Sequence, residues 1–386
     1  MNARDAVQIA LKEQKSIPNS RLQKVIELDE CLRENAELLT KAINGKTAEK
    51  LQQWRESVQP SAEAWWWRLD TIAPHAWDKW DWLWKLLSLA SWTANISLLA
   101  TIATRFLSGG VELAGGVAVI LPSIITLLQA SSELTTAGSA GFEKLLDKSK
   151  IPKQYQEEAK LGSTLLMSVA LIIFWLALPS ISQIYNANGL KNYQERNLGT
   201  AEKDYQRAIA LDEDNVEAHY NLGNLYEDWL QLDKAKKEYQ VAVADGLPQA
   251  YNNLGRLYIK EKKHSQAAFL LATGLKVAGE KNSDPEIKYS LFKNLGWARL
   301  EQGRYEEAQQ HLQAAIGITK NPEAAKYITD SGVAYCLLAQ VLQKKKLPNP
   351  ALEQSQKCSE LGSRLNSDEE DTWLHLANEK LQKKGK

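Results

Sequence analysis

The sequence predicts an all-α chain: a helical amino-terminal region, two to three transmembrane helices, then an α-solenoid of about five helix pairs closed by a C-terminal capping helix. Three observations carry that expectation. Small residues return at three fixed positions through the second half, the long charge-free stretches all fall between Lys85 and Lys191, and nine of the thirteen tryptophans lie between Trp54 and Trp92. At 386 residues the chain is long enough for more than one core. Lys plus Arg equals Asp plus Glu at 47 each, so no basic nucleic-acid footprint is expected.

The first residues, MNARDAVQIALKEQK, carry charges throughout and lack the apolar core of a cleaved signal peptide, so internal segments are expected to insert. Residues 1–60 read as an amphipathic helical region. Within it one helix is expected from Asn19 to Val58, with Leu22, Val25, Leu32, Ala36, Leu39 and Ile43 forming an apolar stripe and Gly45 bending it.

Residues 61–92 form a tryptophan-rich segment. Indole suits the membrane–water boundary because its ring is apolar and its N–H is polar. Trp77, Trp80 and Trp84 fall at i, i+3 and i+7, the spacing of a helix lying in that interface. A tryptophan-rich soluble core or a carbohydrate platform would use the same residues.

The transmembrane region is expected over 86–184, with spans at about 86–104, 113–132 and 163–181. The second is interrupted by Gly115, Gly116 and Pro122, which also fit a broken or re-entrant segment. The third is free of charge from Leu161 to Leu190. An integral membrane protein is the expectation. With three spans the lysine and arginine count places the amino terminus in the cytoplasm and the repeats across the membrane; a re-entrant second segment would return them. In the first case Cys336 and Cys358 could pair, and in the second they stay reduced.

Residues 182–365 repeat with a period in the thirties. Counted from Ser182, Val216, Pro248, Tyr289 and Gly332, the eighth residue is Gly189, Gly223, Gly255, Gly296 and Ala339. The twentieth is Ala201, Ala235, Ala267, Ala308 and Ala351, and the twenty-seventh is Ala208, Ala242, Gly274, Ala315 and Cys358. Small residues at fixed positions let crossing helices approach closely. The fourth position supplies Tyr185, His219, Tyr251, Phe292 and Tyr335 as filling.

This pattern resembles the tetratricopeptide-repeat superfamily over nearly half the chain. The resemblance implies a right-handed superhelix of helix pairs whose first helices line a concave groove for an extended peptide or a partner helix. Positions two, five, six, nine and twelve of each first helix would face that groove. Onto this chain they map as Tyr220, Asn221, Asn224, Asn252, Asn253, Arg256, Lys293, Asn294 and Trp297, a polar, aromatic and mildly basic surface suited to an acidic peptide. Asn221, Asn253 and Asn294 share the sixth position, and their carboxamides could pair with any peptide backbone. The Lys–Asn–Asn–Lys–Arg carboxylate clamp of chaperone-binding members is not present. AGEKNSDPEIK and TKNPEAAKYITDS follow the third and fourth units as insertions, and residues 366–386 are expected to form the capping helix and a basic tail.

No enzyme is expected. NGKT at Asn44–Thr47 has Thr40 where a phosphate-binding loop needs glycine, and the five histidines lack carboxylate or serine partners at usable spacing. DEDN at Asp212–Asn215 lacks the glycine and closing glutamate of a calcium loop and reads as a solvated turn. No cofactor or metal is implied. The expected partners are a protein or peptide in the groove and a lipid bilayer, with homo-oligomerisation possible and no nucleic acid. The expected function is a membrane-anchored interaction scaffold or assembly factor; the alternative is a membrane-perturbing or channel-forming protein whose repeats sense a partner or oligomerise.

Overall fold

The computed structural model describes residues 2–13, 18–36, 38–39, 46–61, 64–67, 69, 78–108, 116, 119–120, 122–127, 138, 141, 144–146, 148–151, 155–329, 331–362 and 368–384. Every regular element among the described residues is helical. The chain divides into two compact units, residues 1–92 with 131–165 and residues 93–130 with 166–386.

The first unit contains α1 (Asn2–Lys12), α2 (Asn19–Glu34), α3 (Lys46–Val58) and a 3-10 turn at Trp65–Trp67. Trp66 and Trp67 are 2% and 4% exposed, with Ala64 and Leu32 against them. An indole buried this deeply needs an acceptor for its N–H. Asp5 supplies it for both rings, at 2.8 Å from Trp66 and 2.9 Å from Trp67. Arg4 lies 4.6 Å above the Trp66 ring while pairing with Asp29 at 2.8 Å, and Arg33 lies 4.7 Å from the Trp65 ring. These tryptophans therefore form a soluble-type core.

The single helix expected from Asn19 to Val58 is divided. α2 stops at Glu34, and the Asn35 side chain donates to the Cys31 carbonyl at 2.8 Å, the local competition with helix bonding that asparagine favours. Gly45 lies outside the described residues. So does Trp77, while Trp80 closes a 3-10 turn and Trp84 belongs to α4 (Asp81–Ser108). The candidate span at 113–132 is described only at 116, 119–120 and 122–127. The other two candidates fall on α4 and α5 (Gln156–Gln194), which are long and apolar enough to cross a membrane. Only 22% of the most apolar window of each is buried within the chain, unlike the core helix of a soluble protein.

In the second unit the repeats form five helix pairs. The end of α5 pairs with α6 (Leu198–Leu211), α7 (Val216–Asp228) with α8 (Leu232–Ala244), and α9 (Pro248–Lys260) with α10 (His264–Glu280). Next come α11 (Pro285–Glu301) with α12 (Tyr305–Thr319), the short α13 (Pro322–Ala325), α14 (Ser331–Lys344) with α15 (Pro348–Leu361), and α16 (Asp368–Lys384). The first insertion lengthens α10 and α11; the second carries α13.

The eighth-position glycines have a concrete reason. A Cβ on Gly189, Gly223, Gly255 or Gly296 would stand 2.7, 2.6, 2.6 and 2.6 Å from Tyr205, Tyr239, Leu271 and Leu312 respectively. Those four are the twenty-fourth residues of their units and are all essentially buried. In the fifth unit the eighth residue grows to Ala339, and the twenty-fourth shrinks to Ser355. Small faces large at each crossing, which is the condition for close helix approach.

A second regularity lies between the helices of each pair. The fifteenth residues, Arg196, Leu230, Lys262, Gly303 and Lys346, all adopt positive φ, between 58° and 73°. Each donates its N–H to the carbonyl three back, and the next residue reaches five back, as in Gln231 to Tyr226 at 2.8 Å. This is the Schellman closure, for which glycine is favoured, yet only Gly303 is one.

The first pair is joined to the apolar helices within this unit. Leu99, Ile102, Leu171, Leu178 and Leu211 form one cluster, and Phe106 stacks on Phe174 at 5.7 Å. Arg105 donates to the Leu211 carbonyl at 2.8 Å, placing a cation at the C-terminus of α6, where the helix dipole favours it. Ser182 is fully buried; its hydroxyl donates to the Ala208 carbonyl at 2.6 Å and accepts from Asn215 at 2.7 Å. Asn215 also caps α7 by accepting from the Ala218 N–H. The DEDN turn is thus solvated at Glu213 and Asp214 and buried at Asn215. Cys336 and Cys358 are disulfide-bonded, tying α14 to α15.

His219 bridges its repeat, with Nδ1 2.7 Å from Glu238 and Nε2 3.1 Å from the Glu213 carbonyl. Burial alone would lower its pKa, but the hydrogen bond to Glu238 and that carboxylate's charge together raise it. His311 is shifted down by burial and by the Arg299 charge.

Two substitutions should reverse ordinary helix propensities. Gly223→Ala should destabilise the array, because about 1–3 kcal/mol of overpacking exceeds the propensity gain of about 1 kcal/mol. Leu230→Gly should stabilise it by up to about 1 kcal/mol, since relief of roughly 1–2 kcal/mol at positive φ exceeds the added freedom of the unfolded chain. Thermal melts followed by circular dichroism read both signs.

The His219–Glu238 contribution is fully present below histidine's ordinary value of about 6.5 and is lost as pH rises through the raised one. The melting-temperature gap between wild type and His219→Gln should therefore narrow from pH 6 to pH 8. A constant gap contradicts this.

Candidate partner-binding face

The first helices α7, α9 and α11 of successive repeats carry the nine expected groove residues, with Asn294 and Trp297 buried and the other seven half-buried. Side-chain amides among them hydrogen-bond from repeat to repeat. Asn221 donates to Asn186 at 3.0 Å, Asn253 to Asn224 at 2.9 Å, and Asn294 to Asn252 at 2.8 Å. Asn252 also donates to Asn253 at 3.2 Å, and Asn253 lies 3.4 Å from the Tyr220 hydroxyl.

The rule behind these bonds is positional. The sixth residue of one first helix donates its side-chain N–H to the fifth or ninth residue of the preceding one. Asn294 is 3% exposed as a result. Each sixth-position amide therefore staples repeat to repeat, a role that sequence spacing does not distinguish from peptide contact.

Further residues support these amides from beneath and beside them. The Tyr239 hydroxyl has one proton to donate and lies 2.7 Å from the Asn224 Oδ1 and 3.0 Å from the Glu227 Oε2. Burial, then the Glu227 charge, hold that hydroxyl protonated far above the usual phenol range, so it stays a donor. Arg256 pairs with Glu227 at 2.6 Å, and the Tyr193 hydroxyl donates to Asp228 at 2.5 Å. Asn186 shares the fifth position with Tyr220 and Asn252, so the repeat register itself could have found it. Glu227 occupies the twelfth position, which the resemblance assigned to the groove. Tyr239 comes from a second helix, and only packing reveals it.

Lys293 and Trp297 differ from the rest because the chain's own C-terminal helix covers them. Glu370 accepts from Lys293 at 3.0 Å, and Trp373 meets Trp297 edge to face with centroids 4.8 Å apart. α16 also seats Leu374 and Ala377 against Cys336 and Cys358. Among the described residues no group of three or more His, Cys, Asp or Glu side chains could hold a metal ion.

Comparison with known proteins supports the repeat assignment. A family model described as TPR repeat matches residues 189–228, and one described as tetratricopeptide repeat matches residues 216–243, 248–280 and 292–322. A curated relative, the uncharacterized protein ycf37 of Cyanophora paradoxa, is 31% identical over 121 residues, 31% of this chain. The chain spans 62% of that relative's length.

Similar solved structures include MamA, at 20% identity over 46% of this chain and 90% of that one, with a TM-score of 0.38. PilF of Pseudomonas aeruginosa is similar at 18% identity over 54% and 93%, with a TM-score of 0.42. YrrB, described as a TPR protein with an unusual peptide-binding site, is similar at 20% identity over 50% and 90%, with a TM-score of 0.36. Family models match tetratricopeptide repeats over residues 189–228, 216–243, 248–280 and 292–322, and the glycine crossings at Gly189, Gly223, Gly255 and Gly296 recur through the same stretch.

Proposed function

We propose that this protein is a membrane-tethered scaffold that holds a protein partner on the concave face of its repeats, close to the lipid surface. The observation that carries the reading is α5. One continuous helix, Gln156–Gln194, contains the more apolar of the two candidate spans and ends as the first helix of the repeat array. A bilayer core of about 30 Å takes about 20 helical residues. With the span at about 163–181, Asn186 stands only ~8 Å beyond the hydrocarbon at 1.5 Å per residue. Partner segments at this end of the groove would then meet it at the membrane surface.

The apolar face of α5 supports the tether. Leu166, Ile173 and Leu176 are exposed, and nothing polar relieves them. The Cys336–Cys358 disulfide favours repeats on an oxidising, non-cytoplasmic side. The nine groove residues remain the proposed contact set, with Arg256, Asn224 and Tyr220 as its partly open members and the sixth-position asparagines as its framework.

Vesicle flotation after alkaline carbonate washing tests the tether. Wild type should float, and Ile173→Lys with Leu176→Lys should float less, with α4 as the remaining candidate span, since each lysine mid-span costs about 2.5–3.5 kcal/mol. Release of wild type by carbonate overturns the tether. For the groove, Arg256→Glu should lower partner capture from detergent-solubilised membranes at least tenfold at unchanged helicity, and equal capture overturns that role. Asn253→Ala should lower the melting temperature instead, because it leaves buried partners unpaired at about 1–3 kcal/mol.

A further inference from the structure

We propose that the face of the fourth repeat around Lys293 and Trp297 is a subsite for an acidic–aromatic helical segment, and that α16 of the same chain is its resident occupant. An external partner would reach this part of the groove only by displacing α16. The proposal rests on the concave-face reading above and names the chemistry that one part of that face selects.

Capping alone does not require these contacts. A terminal helix has to cover the apolar flank of the last pair, α14 and α15, and Leu374 and Ala377 do so above the Cys336–Cys358 disulfide. Ser359 adds a 2.6 Å hydrogen bond to Asn378. Trp373 packs against that cluster too, and beyond it Glu370 and Trp373 reach back to α11, one repeat earlier, 77 residues away in the case of Glu370 and Lys293.

The fit is specific in register and charge. Glu370 and Trp373 lie at i and i+3 on one helix face, and Lys293 and Trp297 lie at i and i+4 on the other, so two pairs meet at once. The Lys293 and Glu370 side chains are 12% and 13% exposed, so the ion pair is largely withdrawn from water. The sequence Asp-Glu-Glu-Asp opens α16, and carboxylates favour a helix N-terminus, so the acidic end is presented in a stable helical form.

Leu374 and Ala377 are the buried apolar residues among the described residues of α16. A competitor with the same Glu-x-x-Trp spacing faces an occupant whose advantage is mainly its tether, an effective concentration in the millimolar range for a short linker.

The test is fluorescence anisotropy of a labelled synthetic peptide of residues 368–384 with the full chain in detergent. Wild type should bind it at least tenfold more weakly than Leu374→Asp, in which the resident helix is released. Adding Lys293→Glu to the released chain should cost the native peptide at least tenfold, and a peptide carrying Glu370→Lys should regain it. Equal binding by wild-type and released chains, or indifference to Lys293→Glu, overturns the proposal.

Leu374→Asp could loosen the last repeat, so amide exchange on a milder variant is the second measurement. Glu370→Lys should speed exchange over residues 370–377, and Glu370→Lys with Lys293→Glu should restore it; no change in either variant overturns the proposal. The peptide assay uses no external partner, so its failure leaves the tether and the rest of the groove untouched. Loss of partner capture with an intact peptide response overturns only the groove reading.

Discussion

The repeat array depends on one steric constraint: a backbone without a side chain must lie under a buried ring or leucine where the two helices of a pair cross. At Gly189 and Gly223 the overlying residue is tyrosine, and at Gly255 and Gly296 it is leucine. Even one added carbon would fall well inside contact distance. Because the crossing is fixed, the first helix of each repeat is held at one inclination to the next. That inclination lets sixth-position amides reach the preceding repeat and hydrogen-bond to it. The proposed partner surface thus inherits its rigidity from contacts on its opposite side.

The join between the apolar helices and the first repeat extends the same logic. Arg105 on the Leu211 carbonyl and Ser182 between Ala208 and Asn215 bond α4 and α5 to the last turn of α6 and the start of α7, and the stacked Phe106 and Phe174 join α4 to α5. Buried polar groups of this kind are costly when half satisfied, and here each has a named partner. Motion of the groove independent of these helix segments would have to break such bonds. The first groove residue, Asn186, is therefore held relative to the apolar stretch that precedes it on the same helix.

Much of this was legible in the sequence, for reasons that vary by residue. The five pairs could be read because their small residues answer a contact inside a single repeat, so the pattern recurs. The Schellman turns were not legible, because the fifteenth position carries Arg196, Leu230, Lys262 and Lys346, whose backbone strain is offset by hydrogen bonds rather than removed by glycine. The column of Asn221, Asn253 and Asn294 was visible, but its donors turn toward the neighbouring repeat, which spacing alone leaves open. Asp5 under Trp66 and Trp67 joins residues some sixty apart. The cover on Lys293 and Trp297 is likewise a long-range pairing without local trace. The break of the helix after Glu34 had a local cause in Asn35, outweighed in the reading by the regular apolar stripe.

The central claim is that α5 serves as both lipid-facing span and first repeat helix. Single-cysteine scanning from Leu165 to Gln194 in vesicles, in a background with Cys31, Cys336 and Cys358 replaced, would test it with paired lipid-soluble and water-soluble spin-relaxation reagents. The account predicts lipid exposure with helical period at Leu166, Ile173 and Leu176, protection at Leu171 and Leu178, and rising water access from Ile184 onward. Uniform water access along the whole helix, or lipid exposure continuing through Asn192, would contradict it.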